Sequence, residues 1–366
     1  MQLWSTWWQM LWLLRPGFSR LRTFLWFATA VAGFTVRTDL LGVTRIVRAL
    51  KLDERVYTVL LEHFHSPGVK LARLSALWAQ IVLAVTQPYY FLADAYYAAG
   101  KMVNTLLRQG NHLITRAESN AIAYSVPVLK GPRRRGRPKL YGKKIRLNSL
   151  FKDTAGFQSA PSPVYAEKKV TLTYRVCDLM WRPARRKVRF VLVVHPSRGT
   201  LILMSTDTSL EGLQIIRLYG LRFKIEHSFK QAKQVVGTFG YHFWMSDMKS
   251  LRWRNGNQHL HHETLDYRNH IKRKMCAYHT FLQAGVVCQG LLQYLSATVP
   301  DLVWSSFGSW LRTIREGIPP SQLVVANATR QSLPQFLLGA ARSNNLAKFI
   351  LERQNQNESE MFRLVS

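Results

Sequence analysis

The chain has 366 residues, with 51 lysines and arginines against 20 aspartates and glutamates, a formal charge of +31. This length allows two or more domains, and the excess of positive charge indicates a polyanionic partner, either nucleic acid or an anionic membrane. Cys177, Cys276 and Cys288 show neither metal-site spacing nor a disulfide framework. The sequence therefore predicts a reducing, cytoplasmic compartment.

Apolar stretches near the N-terminus suggest membrane association as an alternative. The uninterrupted run at residues 23–34 is well short of the roughly 20 residues that a membrane-spanning helix needs. Arginines separate this run from the Trp-rich start of the chain, and no charged segment opens the sequence as in a signal peptide. We expect buried or amphipathic helices and no membrane partner, with a helix on the membrane surface as the alternative.

Residues 1–87 are predicted to be helical. Apolar residues recur at helical spacing, for example at Ile46, Val47 and Leu50. The segment Ser66-Pro67-Gly68 interrupts the pattern. A helical bundle with a basic surface accounts for these residues.

The pattern changes in residues 88–129. The short apolar run from Tyr89 to Ala93 predicts a buried strand, and Asp94 follows it directly. A helix at 97–108 and a second strand at 112–116 come next. Because a buried charge is costly, Asp94 must be solvated, paired or bound to a metal; capping of the next helix is the alternative.

Residues 130–146 contain nine basic residues and no acidic one. Such a run predicts a loop whose contacts with DNA phosphates depend strongly on salt. Residues 135–139 also resemble the core of an AT-hook, whose arginines enter a narrow minor groove. The candidate DNA-binding residues of this loop are Arg133, Arg134, Arg135, Arg137 and Lys139.

Strands are predicted between residues 169 and 205, where apolar and polar residues alternate at 170–174, 187–194 and 200–204. Trp181 lies among three arginines in this region. We expect its ring to pack in the protein core, with stacking on an unpaired base as the alternative.

A segment at residues 219–233, called the signature segment below, places four polar side chains on one side of a predicted helix. At 3.6 residues per turn, Tyr219, Arg222, Glu226 and Lys233 fall within an arc of roughly 60°, and Lys230 lies beside them. Leu221, Ile225, Phe229, Ala232 and Val236 form a neighbouring apolar stripe, which predicts a helix seated on a core. An ordinary amphipathic helix with an Arg222–Glu226 pair is the alternative.

The C-terminal part, residues 246–366, is predicted to be helical at 276–310 and 333–352, with a polar tail at 354–360. His259, His261 and His262 lie close to Glu263. Their spacing matches no familiar zinc motif, and we expect these histidines to be ordinary surface residues.

The spacing of the signature segment resembles the Y-x-x-R-x-x-x-E-x-x-x-x-x-x-K motif of DDE transposases from bacterial insertion sequences. Residues 93–121 resemble the part of those enzymes with the second catalytic aspartate. The resemblance implies an α+β fold with a ribonuclease H-like catalytic core. It divides the chain into five regions. Residues 1–87 are an N-terminal helical, DNA-end-binding region, residues 88–129 are the first remaining part of the core, and residues 130–205 are a basic loop and β-rich insertion. Residues 206–245 contain the signature helix that closes the core, and residues 246–366 are a C-terminal helical region with its tail.

The resemblance also implies site residues, cofactors and partners. In that family three carboxylates hold two Mg²⁺ or Mn²⁺ ions for DNA strand cleavage and transfer. By position, Asp94 and Glu226 are catalytic metal ligands; the implied phosphate contacts are Tyr219, Arg222 and Lys233, with Lys230 beside them. The expected partner is double-stranded DNA, as transposon ends and target, in a bacterial nucleoid. A homodimer or a mixed dimer with full-length transposase is also expected.

The first catalytic aspartate has no counterpart in the sequence. No aspartate lies between Glu54 and Ala93. The missing three strands and helix need roughly 40 residues at usual element lengths, but helical sequence continues almost to the predicted strand. We therefore hypothesise an internal deletion near residues 83–87, which leaves the ribonuclease H-like core incomplete. The chain is then a defective DDE transposase or, alternatively, a non-catalytic DNA-binding remnant that interferes with intact transposase.

Overall fold

The computed structural model describes residues 2–127, 139–165, 167–242, 259–308 and 317–355. Its internal contacts divide the chain into two compact units. A helical unit consists of Met1–Val82 and Ser228–Ser366, and a sheet unit consists of Leu83–His227.

The secondary structure follows the chain as alternating blocks of helices and strands. The first block is α1 (Gln2–Trp12), α2 (Leu21–Val36), α3 (Thr44–Ala49), α4 (Val56–Phe64) and α5 (Leu71–Thr86). The second is β1 (Tyr90–Ala93), α6 (Gly100–Arg108), β2 (His112–Arg116), β3 (Ile122–Tyr124), β4 (Lys144–Arg146), β5 (Gln158–Pro161), β6 (Thr171–Trp181), β7 (Arg186–His195) and β8 (Gly199–Ser205). The third is α7 (Gly212–Gly220), α8 (Lys224–Gln231), α9 (Leu265–Thr298), α10 (Pro300–Phe307), α11 (Gln322–Ala340) and α12 (Asn345–Leu351).

The sheet unit is built on one mixed sheet with the strand order β1-β2-β8-β7-β6-β3-β4, and β5 pairs with β6. Strands β1 and β2 are parallel, with Ala93 opposite Thr115, and α6 connects them. The other described strand pairs are antiparallel. The strands predicted at 89–93, 112–116 and 169–205 are thus confirmed, and the fold of this unit is mixed α/β.

Alternation along the strands gives each face of the sheet its own core. Leu113 and Phe190 belong to the cluster that contains residues of α6, whereas Ile114 and Val191 belong to the cluster that contains residues of α7. This division follows from the two-residue period of a strand. Trp181 is only 6% exposed and packs in the first cluster, which confirms that its ring is a packing residue.

The helical unit has α2 near its centre, and every α2 residue from 24 to 36 is buried. A helix that is apolar on all sides is expected to be surrounded by protein or lipid. The Trp-rich start contributes to the same core, where Trp4 stacks on Phe336 with ring centroids 5.4 Å apart. The expectation of buried helices in this region is confirmed. None of the helices in the described ranges combines the length and apolarity required to cross a membrane.

A buried histidine makes the helical unit sensitive to acid. His63 in α4 is 5% exposed, and its Nε2 has no hydrogen-bond partner among the described residues. Burial lowers the pKa of His63 from 6.5 to about 3, so the folded state holds a neutral imidazole. Stability is therefore complete above pH 6.5 and falls as the pH drops toward 3, because only the unfolded chain takes up the proton.

We expect acidification from pH 7 to pH 5 to lower the free energy of unfolding by about 2 kcal/mol through this residue. Urea titrations at a series of pH values measure this loss. His63→Leu should flatten the profile, whereas His279→Ala, which removes an exposed histidine of α9, should retain the parent slope. An unchanged slope in His63→Leu would assign the acid sensitivity to other groups.

Candidate active site

Asp94 lies at the carboxyl end of β1, and its carboxylate is largely exposed to solvent. The residue precedes a 3₁₀ helix, Ala95–Tyr97, but its side chain makes no capping hydrogen bond. Its backbone oxygen accepts a hydrogen bond of 2.7 Å from Thr115 Oγ1, and its side chain is 62% exposed. Neighbouring β2 therefore fixes the backbone, and the capping alternative for Asp94 is wrong.

Arg222 of the signature segment provides the described partner of this carboxylate. Its Nη1 lies 3.0 Å from Asp94 Oδ1, and the centre of its guanidinium group lies 5.9 Å from the centroid of the Tyr219 ring. The structure thus joins two motifs separated by more than a hundred residues in the sequence. The arginine places a fixed positive charge against the oxygen that the family resemblance assigns to a metal ion.

Glu226 has a different environment from Asp94. It lies in the first turn of α8 and is exposed to solvent. No residue in the described ranges forms an ion pair or a hydrogen bond with its carboxylate. The Arg222–Glu226 pair considered as the ordinary explanation of this helix is not formed, because Arg222 binds Asp94.

The spacing predicted one uniform helix for the signature segment, and this prediction is wrong. Helix α7 ends at Gly220, a 3₁₀ turn covers Leu221–Phe223, and α8 is followed by a π-helix, Ala232–Val236. Gly237 ends the π-helix with φ of 71°, a left-handed conformation that glycine adopts without strain. Changes of helix type rotate later side chains relative to earlier ones, so a single arc does not describe the segment.

The predicted apolar stripe of the segment is only partly buried. Ala232 and Val236 lie in the core, but Ile225 is 54% exposed and Phe229 is 60% exposed. The prediction that all five stripe residues seat the helix is wrong because α8 has no covering element over this part of its surface in the described residues. Lys230 and Lys233 are exposed as well, which leaves both ammonium groups available to an anion.

A buried arginine binds the C-terminal end of the π-helix within the helical unit. Arg37, 2% exposed, donates to Val236 O at 2.7 Å and to Gly237 O at 3.0 Å, and also to Gly42 O at 3.1 Å. Its guanidinium group lies 4.2 Å from the Phe34 ring centroid. The last carbonyl groups of the π-helix, which lack helical partners, are satisfied in this way.

A cavity of about 590 Å³ in the sheet unit lies beside Tyr219 and Arg222 and is also lined by Arg116, Glu167 and Arg198. Glu167 Oε2 accepts hydrogen bonds from Ser162 and His195. Its Oε1 forms an ion pair with Arg198 Nη2 at 2.8 Å. Burial opposes ionisation of Glu167, but these contacts outweigh it, and the pKa is lowered. With both oxygens engaged, Glu167 is a structural acid.

The described side chains do not fit a pair of catalytic metal ions. A two-metal site needs several carboxylates converging on ions roughly 4 Å apart. Among the described residues, one group of at least three His, Cys, Asp or Glu side chains has ligand atoms that all lie within 4.8 Å of one another. It consists of His259, His261 and His262. Asp94 and Glu226 belong to no such group, and Arg222 already neutralises Asp94.

A comparison with known families covers the part of the chain that holds Asp94 and the signature segment. Residues 71–239 match a family model described as the transposase DDE domain. The chain contains a DDE transposase domain. A comparison with curated proteins gives no match.

The match begins within α5 and ends just after the π-helix, so it includes Asp94, all eight described strands and the signature segment. Transposases catalyse transposition, a form of DNA recombination, and DDE transposases generally use divalent metal ions. The family predicted from the signature spacing is therefore confirmed. The match does not test the individual site residues.

Most of the basic loop lies outside the described residues of this transposase domain. Arg133, Arg134, Arg135 and Arg137 fall in that part of the chain, and Lys139 is described and exposed. Their role in DNA binding stays a prediction.

Sequence reasoning missed Arg116 as a functional candidate. Arg116 is exposed at the end of β2 and lines the same cavity as Arg222. Parallel strands present their carboxyl ends at one edge of a sheet, so the residue after β1 and the last residue of β2 are neighbours. The order of two predicted parallel strands was the signal that could have identified it.

Proposed function

We propose that this DDE transposase is a defective copy that binds DNA but has lost efficient metal-dependent strand cleavage. The observation that carries the proposal is the 3.0 Å ion pair between Arg222 and Asp94. In an intact three-carboxylate site, this aspartate faces metal ions shared with two other acids. Here a protein cation balances its charge.

The position of β1 supports the loss of a first catalytic strand. The aspartate-bearing strand stands at the end of the sheet order, with β2 as its described neighbour. The first strand of a ribonuclease H-like core would pair with its other edge. An aspartate-free sequence from residue 55 to residue 93 agrees with a deletion that removed this strand and the acid on it.

Exposed apolar side chains near the signature segment give independent support. Phe223 is 44% exposed, in addition to Ile225 and Phe229. Large exposed apolar side chains often mark a surface that a partner covers. A deletion of half a catalytic sheet would leave such a surface.

The remaining residues still suit DNA binding. Tyr219, Arg222 and Lys233 supply a phenol, a guanidinium group and an ammonium group, each of which donates hydrogen bonds to phosphate oxygens. Arg116 adds a cation at the same edge of the sheet. We infer that these groups hold the DNA backbone, whereas the two carboxylates without a third bind divalent ions weakly.

A cleavage assay on transposon-end DNA tests the proposal. With Mg²⁺ or Mn²⁺ and enough protein to saturate the DNA, we expect no strand cutting above that of a protein-free sample. Mobility-shift measurements on the same samples should show binding. Glu226→Gln should leave both results unchanged, because its carboxylate has no functional site to complete.

The contrary result is well defined. Metal-dependent cutting that disappears in Glu226→Gln but persists in Asp301→Asn, a control at an exposed acid of α10, would overturn the proposal of a defective copy. Absence of DNA binding by the folded protein would overturn the DNA-binding part.

A further inference from the structure

Three histidines outside the transposase match form a compact group before the long helix α9. Ligand atoms of His259, His261 and His262 all lie within 4.8 Å of one another, and all three residues are exposed. The ring centroids of His261 and His262 are 3.9 Å apart, and those of His259 lie 5.8 and 6.0 Å from the other two. The prediction that these histidines lie on the surface is confirmed, and their ligand atoms also lie close together.

The backbone holds this group in a defined turn. Leu260–His262 is a 3₁₀ helix, closed by hydrogen bonds from His262 N to His259 O at 2.8 Å and from Glu263 N to Leu260 O at 3.2 Å. His259 has φ of 44°, a left-handed conformation that is uncommon outside glycine. Thr264, the next residue, caps α9 by accepting a hydrogen bond from Tyr267 N.

The spacing of the ligand atoms suits one small cation. Two nitrogens bound to a tetrahedral Zn²⁺ at 2.0–2.1 Å lie roughly 3.3 Å apart. Ligand atoms that lie within 4.8 Å of one another reach this separation when side-chain rotation shortens each distance by about 1.5 Å or less. Because the three rings are exposed, such rotation displaces no core residue. A fourth coordination position remains open to water.

The ligand type decides which metal fits. Neutral imidazole suits Zn²⁺, Co²⁺, Ni²⁺ and Cu²⁺, whereas Mg²⁺ and Ca²⁺ require oxygen ligands. This group therefore has a different chemistry from the carboxylates Asp94 and Glu226. Its metal preference does not depend on whether the transposase is active.

We propose that His259, His261 and His262 bind one first-row transition-metal ion, with Zn²⁺ as the representative, and thereby fasten the turn that precedes α9. The bound ion joins His259, at the start of this turn, to His262, two residues before the Thr264 cap. Metal binding therefore stabilises the N-terminal end of α9 against fraying. The site is an open three-histidine site, completed by water.

Metal titration of the tag-free, full-length protein tests the site. We expect Zn²⁺, measured by competition with a chromophoric chelator, to bind with a stoichiometry of one. His261→Ala should weaken binding at least about tenfold. His279→Ala is the matched control because it removes an exposed histidine of α9 outside the group, and it should bind like the parent. An excess of Mg²⁺ should not compete.

A second measurement reports the geometry directly. Co²⁺ should give the visible absorption of a tetrahedral complex in the parent and in His279→Ala, and His261→Ala should lose it. Equal Zn²⁺ affinity in the parent and in His261→Ala would overturn the proposal, as would binding that both variants lose alike. Because His261 is exposed, circular dichroism of the variant should match the parent and exclude unfolding as the cause.

Discussion

Replacing Arg37 with methionine is expected to lower the free energy of unfolding of the helical unit by about 3–5 kcal/mol. The arginine is buried, and burial lowers its pKa to about 10, so the guanidinium group is still charged at neutral pH. It meets the carbonyl groups of Val236 and Gly237, which carry the partial negative charge of a helix C-terminus. Methionine fills much of the volume but leaves these buried acceptors without donors.

The position of Arg37 links this effect to the signature segment. Arg330 of α11 donates to the backbone oxygens of Val36 and Arg37. Arg330 therefore satisfies the end of α2, and Arg37 satisfies the end of the π-helix. Hydrogen bonds to charged groups contribute more than neutral ones. Loss of Arg37 should therefore loosen the turn at Gly237 as well as reduce stability.

Urea unfolding followed by tryptophan fluorescence measures the change, since Trp4 and Trp7 are buried in the same unit. Arg37→Lys keeps the charge with fewer donors and should fall between the parent and Arg37→Met. Arg55→Met is the control, because Arg55 has a 92% exposed side chain, and its midpoint should stay close to that of the parent. A midpoint of Arg37→Met equal to that of Arg55→Met would contradict the argument.

The comparison of Asp94 with the signature segment shows how far the sequence could predict this site. A short apolar run followed by an acid predicts a strand and its end from local residues alone, and β1 and Asp94 agree with that prediction. The prediction that this strand is buried holds only at Ala93, because Tyr90 is exposed and the two residues between them are half-buried. The signature helix is broken at 221–223, and Arg222 in this turn reaches Asp94. That contact joins distant parts of the chain, and single-sequence periodicity carries no information about it.

Two other features were beyond the sequence for related reasons. The burial of Arg37 among carbonyl groups runs against the usual exposure of arginine, so composition predicts the wrong environment. The approach of three imidazole rings at 259–262 depends on a left-handed residue at His259, which few side chains adopt. In both cases the residue departs from its ordinary preference.

Substitution of the basic loop is expected to change DNA affinity more than any other surface change. Replacing Arg133, Arg134, Arg135, Arg137 and Lys139 together with alanine removes five positive charges. Each phosphate contact contributes about 0.9 to the slope of log affinity against log salt, because it releases counterions. If all five residues contact phosphates, the slope should fall by about 4 to 5, and the affinity at moderate salt should drop by several hundredfold.

A charge-conserving variant separates the two modes of binding predicted for this loop. Lysine at positions 133, 134, 135 and 137 keeps the phosphate contacts, so the salt slope and the affinity for GC-rich DNA should remain close to those of the parent. Minor-groove insertion favours arginine in a narrow, AT-rich groove, and it would appear as a selective loss on AT-rich duplexes. Fluorescence anisotropy at several salt concentrations, on one AT-rich and one GC-rich duplex, measures both quantities. A parent-like salt slope in the alanine variant would show that the +31 charge acts on DNA through other surfaces.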